Sequence, residues 1–335
     1  MNVTSIGDLA QSLMLRSRST ALKQTISRLT LELSSGQVSD VTSRVGGDYS
    51  YLNDINHRLA QLDGYAVANT EARIFTDAAQ SSLERVQDVT SAFATDLIAS
   101  VPTHLQSILD HGAARARTDL ESTIAALNTT IAGRTIFGGV STDIAPLADV
   151  ETLLNGLESA ISGLSDPDDI RTAATAWFDD PAGFRATAYA GGNSALAPLQ
   201  LAPGQTVSMS IMADNETLKD LLRNLALSAL ANDTTLGFDL DTQNDLLRKS
   251  GEELLSGQEA LAALRSDLGF VQSRVEQATA RNQAARSGFE ISRATLLEAD
   301  PYETATWLED AQFQLESLYA VTVRNAQLSL VRFLE

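Results

Sequence analysis

A heptad pattern of apolar residues runs through residues 254–282, whose sequence is LLSGQEALAALRSDLGFVQSRVEQATARN. The pattern continues to residue 296 with alternating spacings of three and four, and its positions are Leu254, Gly257, Leu261, Leu264, Leu268, Val271, Val275, Ala278, Asn282, Ala285, Phe289, Ser292 and Leu296. This spacing places the side chains on one face of an α-helix and favours packing against other helices. It predicts a helix from about Asp245 to Glu298, about 80 Å long at ~1.5 Å per residue, and therefore an elongated molecule.

Both chain ends carry shorter apolar stripes at helical spacing. The N-terminal stripe stops at Ser34-Ser35-Gly36, where glycine suits the end of a helix, and the C-terminal stripe follows Asp300-Pro301. These stripes predict an amphipathic helix at each end of the chain. Their apolar residues are Leu15, Leu22, Ile26, Leu29 and Leu33 in the first helix and Leu308, Leu315, Leu318, Leu328, Leu330 and Leu334 in the last.

The middle of the chain has a different composition. Five of the seven prolines lie between Pro146 and Pro203, and residues 141–235 carry 13 acidic and 4 basic residues. Polar and apolar residues alternate strictly in Thr206–Met212 and more weakly in Phe184–Tyr189, which predicts two strands. A short helix capped at Asp214-Asn215 should follow. The segment therefore reads as a small, solvent-facing α+β domain.

Helical spacing also covers two stretches before this segment, from about Leu52 to Leu97 and from about His104 to Ala132. The predicted fold class is thus mostly α: an elongated antiparallel helical bundle or coiled coil built from both chain ends, with a small inserted α+β domain. We predict terminal helices at 1–40 and 300–335, a helical stalk domain at 41–140 and 236–299, and an inserted surface domain at 141–235.

Composition and motifs argue against several functional classes. The chain has 24 Lys and Arg against 43 Asp and Glu, a net charge of −19, which repels nucleic acid. No apolar run is long enough to span a bilayer, so no membrane partner is expected. Three histidines, no cysteine and no common nucleophile or phosphate-binding motif predict no catalytic residue, no metal site and no cofactor. The protein is predicted not to be an enzyme.

Three stretches resemble the bacterial flagellin superfamily. LTLELSSG at residues 29–36 is similar to the end of the first helix in that superfamily. GRTIFGGVST at residues 133–142, with Pro146 following, is similar to a segment of the flagellar hook-associated protein 3 family, which forms the hook–filament junction. Residues 315–334 resemble the closing helix of the same family. The likeness covers about residues 1–140 and 245–335.

This resemblance implies a structural component of the bacterial flagellum, an adaptor at the hook–filament junction on which filament subunits assemble. The eleven stripe residues at the two ends would form the assembly interface. The implied partners are further copies of the chain in a ring, a neighbouring hook-associated protein, hook-side or filament subunits and a flagellar export chaperone. The implied location is extracellular, reached through type III export without a cleaved signal peptide.

Two alternatives remain at the level of sequence. Flagellin itself, the bulk filament subunit, belongs to the same superfamily. A cytoplasmic coiled-coil scaffold would also satisfy the heptad pattern, although such a protein would not be secreted.

Overall fold

The computed structural model describes residues 3–100 and 105–334, with the side chains of 3–9, 325–326 and 328–334 left undescribed. Within these ranges the chain has ten α-helices and four short β-strands, in two antiparallel hairpins. The helices are α1 Val3–Ser35, α2 Val41–Arg44, α3 Ser50–Ser100, α4 Gln106–Leu127, α5 Val150–Ile161, α6 Pro167–Asp179, α7 Phe184–Thr187, α8 Glu216–Leu230, α9 Leu240–Leu297 and α10 Pro301–Leu334. The strands are β1 Thr130–Ile131, β2 Arg134–Thr135, β3 Leu199–Ala202 and β4 Gln205–Val207. The predicted fold class, mostly helical with a small α+β part, is confirmed.

The chain divides into two compact units. Unit 1 comprises residues 1–62 and 283–335, and unit 2 comprises residues 63–282. Both α3 and α9 contribute residues to each unit, and each unit has its own buried side chains.

In unit 2, α3 and α9 pack antiparallel along the heptad. Gln258 Nε2 donates to Thr90 Oγ1 at 3.0 Å, and Gln272 Nε2 donates to Asp77 Oδ1 at 2.8 Å. Six heptad positions are buried and three are half-buried; the buried ones are Leu254, Leu261, Leu268, Val275, Ala278 and Asn282, and the half-buried ones are Gly257, Leu264 and Val271. The helix is continuous through its glycines, because burying this apolar face outweighs their low helix propensity, about 1 kcal/mol each.

The rest of unit 2 packs on this pair. Helix α4 lies against α8, and a hydrophobic core extends from α3, α4 and α9 into α5, α6 and α8. The hairpin β3–β4 lies on α9, where Asn282 Nδ2 donates to the carbonyl oxygen of Leu201 at 2.7 Å and Arg274 Nη2 donates to that of Thr206 at 3.0 Å. Leu201 and Val207 are buried with Ala72, Val275 and Ala278 in a small second core.

Both strand predictions in the middle segment need correction. Residues 184–187 form helix α7, not a strand, because Phe184 and Ala188 are buried four positions apart while Ala186 is exposed. The predicted strand at 206–212 ends at Val207. Beyond it the chain leaves the hairpin, since Met209 and Ile211 both pack against the main core and the Ala213 amide bonds to the Phe137 carbonyl.

Two helix boundaries also differ from prediction. Helix α4 ends at Leu127, and residues 128–132 enter the hairpin β1–β2 instead of continuing the helix. His104, at the predicted start, lies outside the described residues. Helix α9 begins at Leu240, five residues before the predicted start, since Asp239 Oδ1 accepts a hydrogen bond from the Thr242 amide.

Unit 1 contains α1, α2 and α10 together with the ends of α3 and α9. Helix α1 ends as predicted at Ser35, where Gly36 takes the left-handed conformation at φ +68° and its amide bonds to the Glu32 carbonyl. Helix α10 begins at Pro301, and Asp300 Oδ1 accepts hydrogen bonds from the Tyr302 and Glu303 amides.

Candidate assembly surfaces

The first and last helices pack against each other in unit 1. Leu29 is almost completely buried, with 1% of its surface exposed, and Ala311 is buried on α10. Half-buried positions flank them, namely Leu15, Leu22, Ile26, Leu308, Leu315 and Leu318. The structure thus brings seven of the eleven predicted stripe residues to the paired helices with part or all of their surface covered.

The remaining four stripe residues have other positions. Leu33 is 41% exposed, since it lies beside the stripe and not on its buried line. Leu328, Leu330 and Leu334 lie among the residues whose side chains are not described.

A polar contact helps to fix the pairing of α1 with α10. Lys23 Nζ lies 5.9 Å from the centre of the Tyr319 ring. Hydrogen bonds from Lys23 and Ser19 lower the pKa of the Tyr319 phenol, because both stabilise the phenolate. The contact joins exposed side chains of α1 and α10 beside their shared apolar stripe.

A second set of large apolar side chains on these helices is exposed. The set comprises Leu13, Met14 and Leu31 on α1 and Tyr302, Trp307, Phe313, Val321 and Val323 on α10. Sequence reasoning missed these residues, because a search for one stripe per helix discards apolar positions on the other faces. The sequence feature that indicates part of this set is the surplus of aromatic residues between Tyr302 and Phe313.

The connections at the ends of α1 and α9 form a clasp, defined here as residues 36–39 and 297–299. The Val38 amide donates to the Leu297 carbonyl and the Ala299 amide to the Gly36 carbonyl, each at 2.9 Å. Buried Glu32 supports one side, where its Oε1 accepts from the Ser39 amide at 2.8 Å and from Arg28 Nη1 at 2.9 Å. Both terminal helices are therefore tied together at their clasp ends by backbone hydrogen bonds.

The GRTIFGG motif of residues 133–139 lies in unit 2. Ile136 and Phe137 are buried in the main core. Gly138 is required by close packing, since a Cβ atom there would lie 2.3 Å from the Ser141 carbonyl oxygen. The motif therefore has a structural role: it turns the chain after β2 and anchors the turn in the core.

Among the described residues, no three acidic or histidine side chains are grouped closely enough to hold a metal ion. Within the same ranges, no helix combines the length and the apolar character needed to cross a membrane.

Comparison with known proteins gives one family match and several structural ones. Residues 256–334 match the model of the bacterial flagellin C-terminal helical region. No curated protein sequence matches the chain. FlgL from Bacillus cereus superposes with a TM-score of 0.51 at 14% identity, covering 72% of this chain and 100% of its own. A candidate flagellar hook-associated protein from Vibrio parahaemolyticus gives a TM-score of 0.44 at 12% identity, covering 73% of this chain and 96% of its own.

The matched region contains most of α9 and α10, and thus the heptad, one side of the clasp and one member of the terminal helix pair. The structural likeness to FlgL concerns the fold. These findings agree with the resemblance seen in the sequence: residues 256–334 match the flagellin C-terminal helical region, and the fold is similar to that of FlgL.

Proposed function

We propose that the protein is a structural subunit of the bacterial flagellum, placed at the hook–filament junction as the adaptor on which filament subunits assemble. The flagellin C-terminal helical region and the FlgL-like fold support this role. The role requires assembly surfaces and no reaction chemistry, so we infer a non-enzymatic protein.

The observation that carries the proposal is the second apolar set on the paired terminal helices. Within unit 1, α1 and α10 cover each other along one stripe, yet Met14 and Phe313 each remain 70% exposed. Phe313 and Val321 line one open groove together with Leu15 and Leu22 of α1, and an exposed apolar groove of this kind marks a surface that is covered in an assembly. In the proposed role, neighbouring subunits cover this surface.

The stripe residues and the second apolar set would then have different tasks. We infer that the stripe from Leu15 to Leu29, with its partners from Leu308 to Leu318, holds the helix pair together. The outer set contacts neighbouring copies in a ring and the hook-side and filament-side subunits. A flagellar export chaperone would cover the same apolar residues before secretion, since they are unsuited to contact with water.

One substitution tests the role of the outer set. Phe313→Ser removes an exposed side chain, so we expect a normally folded monomer that fails to join flagella. Ile144→Ser is the matched control, because Ile144 is an exposed apolar residue at 52% in the middle segment, away from the terminal helices. Equal incorporation of both variants into flagella would contradict the assignment.

The number of copies per filament distinguishes the junction role from bulk flagellin and from a cytoplasmic scaffold. Purified flagella should contain a few copies of this chain per filament, measured by peptide counting against hook and filament proteins. Thousands of copies would identify a bulk flagellin. Absence from flagella would favour a cytoplasmic scaffold.

A further inference from the structure

Unit 2 has an apolar groove on the face of α3 that points away from α9. The groove lies between α3 and the β1–β2 hairpin, with a volume of about 520 Å³, and its lining includes Val67, Thr70, Ile74, Ile131 and Ala132. Val67 is 70% exposed. An open apolar depression of this kind on a helix surface is suited to receive a single large side chain.

The rim of the groove is held in an unfavourable backbone conformation. Ala132, in the turn between β1 and β2, has φ +51°, and no other non-glycine residue among those described has a positive φ. Ala132 and Gly133 are the two loop residues of the β1–β2 hairpin, and a two-residue hairpin turn of this kind requires a positive φ at both. The turn holds Ile131 in the groove wall and places Arg134 where it pairs with Glu71 of α3.

A single aromatic side chain protrudes from the other helix of the pair. Phe270 on α9 is 67% exposed. Its neighbours at helical spacing are the small residues Ala263, Ser266 and Ser273, together with the exposed charged residues Asp267 and Arg274. Small neighbours allow another surface to approach the ring closely.

The groove and Phe270 lie on opposite sides of the α3–α9 pair. Ala72 and Leu268 are buried along the packed faces of these helices. Ile74 comes two residues after Ala72, and Phe270 comes two residues after Leu268. At about 100° per residue, each side chain is therefore rotated by about 200° around its helix axis from the buried one. Each therefore points away from the partner helix, so Phe270 cannot reach the groove of its own chain.

Charge favours a second copy as the occupant. At a net charge of −19, two copies repel each other over most of their surfaces. Each of these two patches instead has one acidic and one basic residue: Glu71 with Arg134 beside the groove, and Asp267 with Arg274 one turn from Phe270 on either side. Neutral patches with one charge of each sign can meet with opposite charges facing.

We propose that Phe270 of one copy inserts into the α3 groove of a second copy, in a contact that repeats from copy to copy. Because the two patches differ, each pairing leaves one groove and one phenylalanine free. A contact of this type closes into a ring or continues as a helical row. This proposal rests on the proposed function, because assembly into a flagellum is what would bring copies side by side.

Disulfide cross-linking can test this contact. Because the chain has no cysteine, every disulfide must form between introduced cysteines. Val67→Cys and Ser266→Cys are prepared as separate full-length variants, concentrated, and oxidised mildly, either alone or mixed in equal amounts; Ser266 is exposed one turn before Phe270, so this variant keeps the inserting ring. A disulfide needs Cβ atoms about 3.5–4.5 Å apart, so only a seated pair reacts efficiently. Leu255→Cys mixed with Val67→Cys is the matched control, since Leu255 is an exposed apolar residue of the same helix.

We expect at least tenfold more disulfide-linked dimer in the Val67→Cys and Ser266→Cys mixture than in either variant alone or in the control mixture. Efficient dimer formation by Ser266→Cys alone would overturn the proposal in favour of a symmetric contact. Equal yields in all samples would overturn it as well.

The outcome is separable from that of the proposed function. A chain that occurs in flagella at junction copy number but shows no selective cross-link refutes this contact and leaves the function standing. A selective cross-link in a protein absent from flagella supports the contact and refutes the function. Phe270→Ser provides an independent check, with at least a tenfold loss of incorporation expected and unchanged incorporation counting against the contact.

Discussion

Glu32 is expected to control how firmly the clasp holds the terminal helices. The side chain is 4% exposed, and its Oε1 accepts both the Ser39 amide at 2.8 Å and Arg28 Nη1 at 2.9 Å. Glu32→Gln keeps the shape and one acceptor but removes the negative charge. Glu32→Ala removes both hydrogen bonds.

The magnitude follows from these two contacts. A hydrogen bond to a charged group contributes about 1.5–3 kcal/mol and a neutral one about 0.5–1.5, so neutralising the acceptor of the Ser39 bond costs about 1 kcal/mol. The ion pair with Arg28 adds only about 0.3–0.5 kcal/mol, since Arg28 is half exposed and four residues away on the same helix. Glu32→Gln should therefore destabilise the clasp by about 1–1.5 kcal/mol, and Glu32→Ala by about 2–3 kcal/mol.

Hydrogen exchange of the clasp amides measures this effect directly. The Val38 and Ala299 amides bond across the clasp, so Glu32→Gln should speed their exchange by about tenfold, because 1.4 kcal/mol corresponds to a factor of ten. Asp54→Asn is the matched control, since it neutralises an exposed carboxylate four residues from Arg58 in the same unit and should change exchange by less than about threefold. Equal exchange in the Glu32→Gln and Asp54→Asn proteins would refute the assigned role of Glu32.

Three further predictions concern unit 2. Leu261→Ala should lower the free energy of unfolding in urea by about 2–5 kcal/mol because Leu261 is fully buried, whereas Leu255→Ala on the same helix should change it by less than about 0.5 kcal/mol, and similar losses would argue against the packed heptad. Ala132→Gly should raise the free energy of unfolding by about 1 kcal/mol by relieving the left-handed backbone, and a loss of stability would show that no strain is present. Burial raises the pKa of the Tyr189 phenol to about 12, from about 10 when unfolded, so its contribution to stability is complete below about pH 10 and is lost as the pH rises from about 10 to 12. The urea midpoint should fall between pH 9 and 11, and by less in Tyr189→Phe; an equal fall in both proteins would contradict this assignment.

The middle segment shows why local patterns mislead over short lengths. Alternation in residues 184–189 predicted a strand, but Phe184 is surrounded by Trp177, Phe178 and Tyr189, and a helical turn is the conformation that buries it together with Ala188. Over six residues, the periods of a helix and a strand differ too little to decide the matter. Tertiary contacts with distant residues then settle the backbone conformation.

The assembly surfaces, too, could be predicted only in part from the sequence. Leu29 could be assigned to a buried stripe from sequence, because its spacing from Leu22 and Ile26 is regular over a long helix. The exposure of Phe270 could not be predicted from the sequence, since an apolar residue beside a heptad is equally compatible with contact to another part of the same chain. The groove lined by Val67 and Ile131 depends on residues more than sixty positions apart, which no local pattern relates.

The amino-acid sequence by itself determined the long helices, their ends at Gly36 and Asp300, and the likeness to the flagellin superfamily. These properties depend on periodicity, capping and turn residues, all of which act within a few positions along the chain. Only the tertiary structure decided which apolar faces are covered, how Glu32 and Ser39 close the clasp, and where unit 2 leaves a groove and an exposed phenylalanine. Burial depends on what packs against each face, and that is a property of residues brought together from distant parts of the chain.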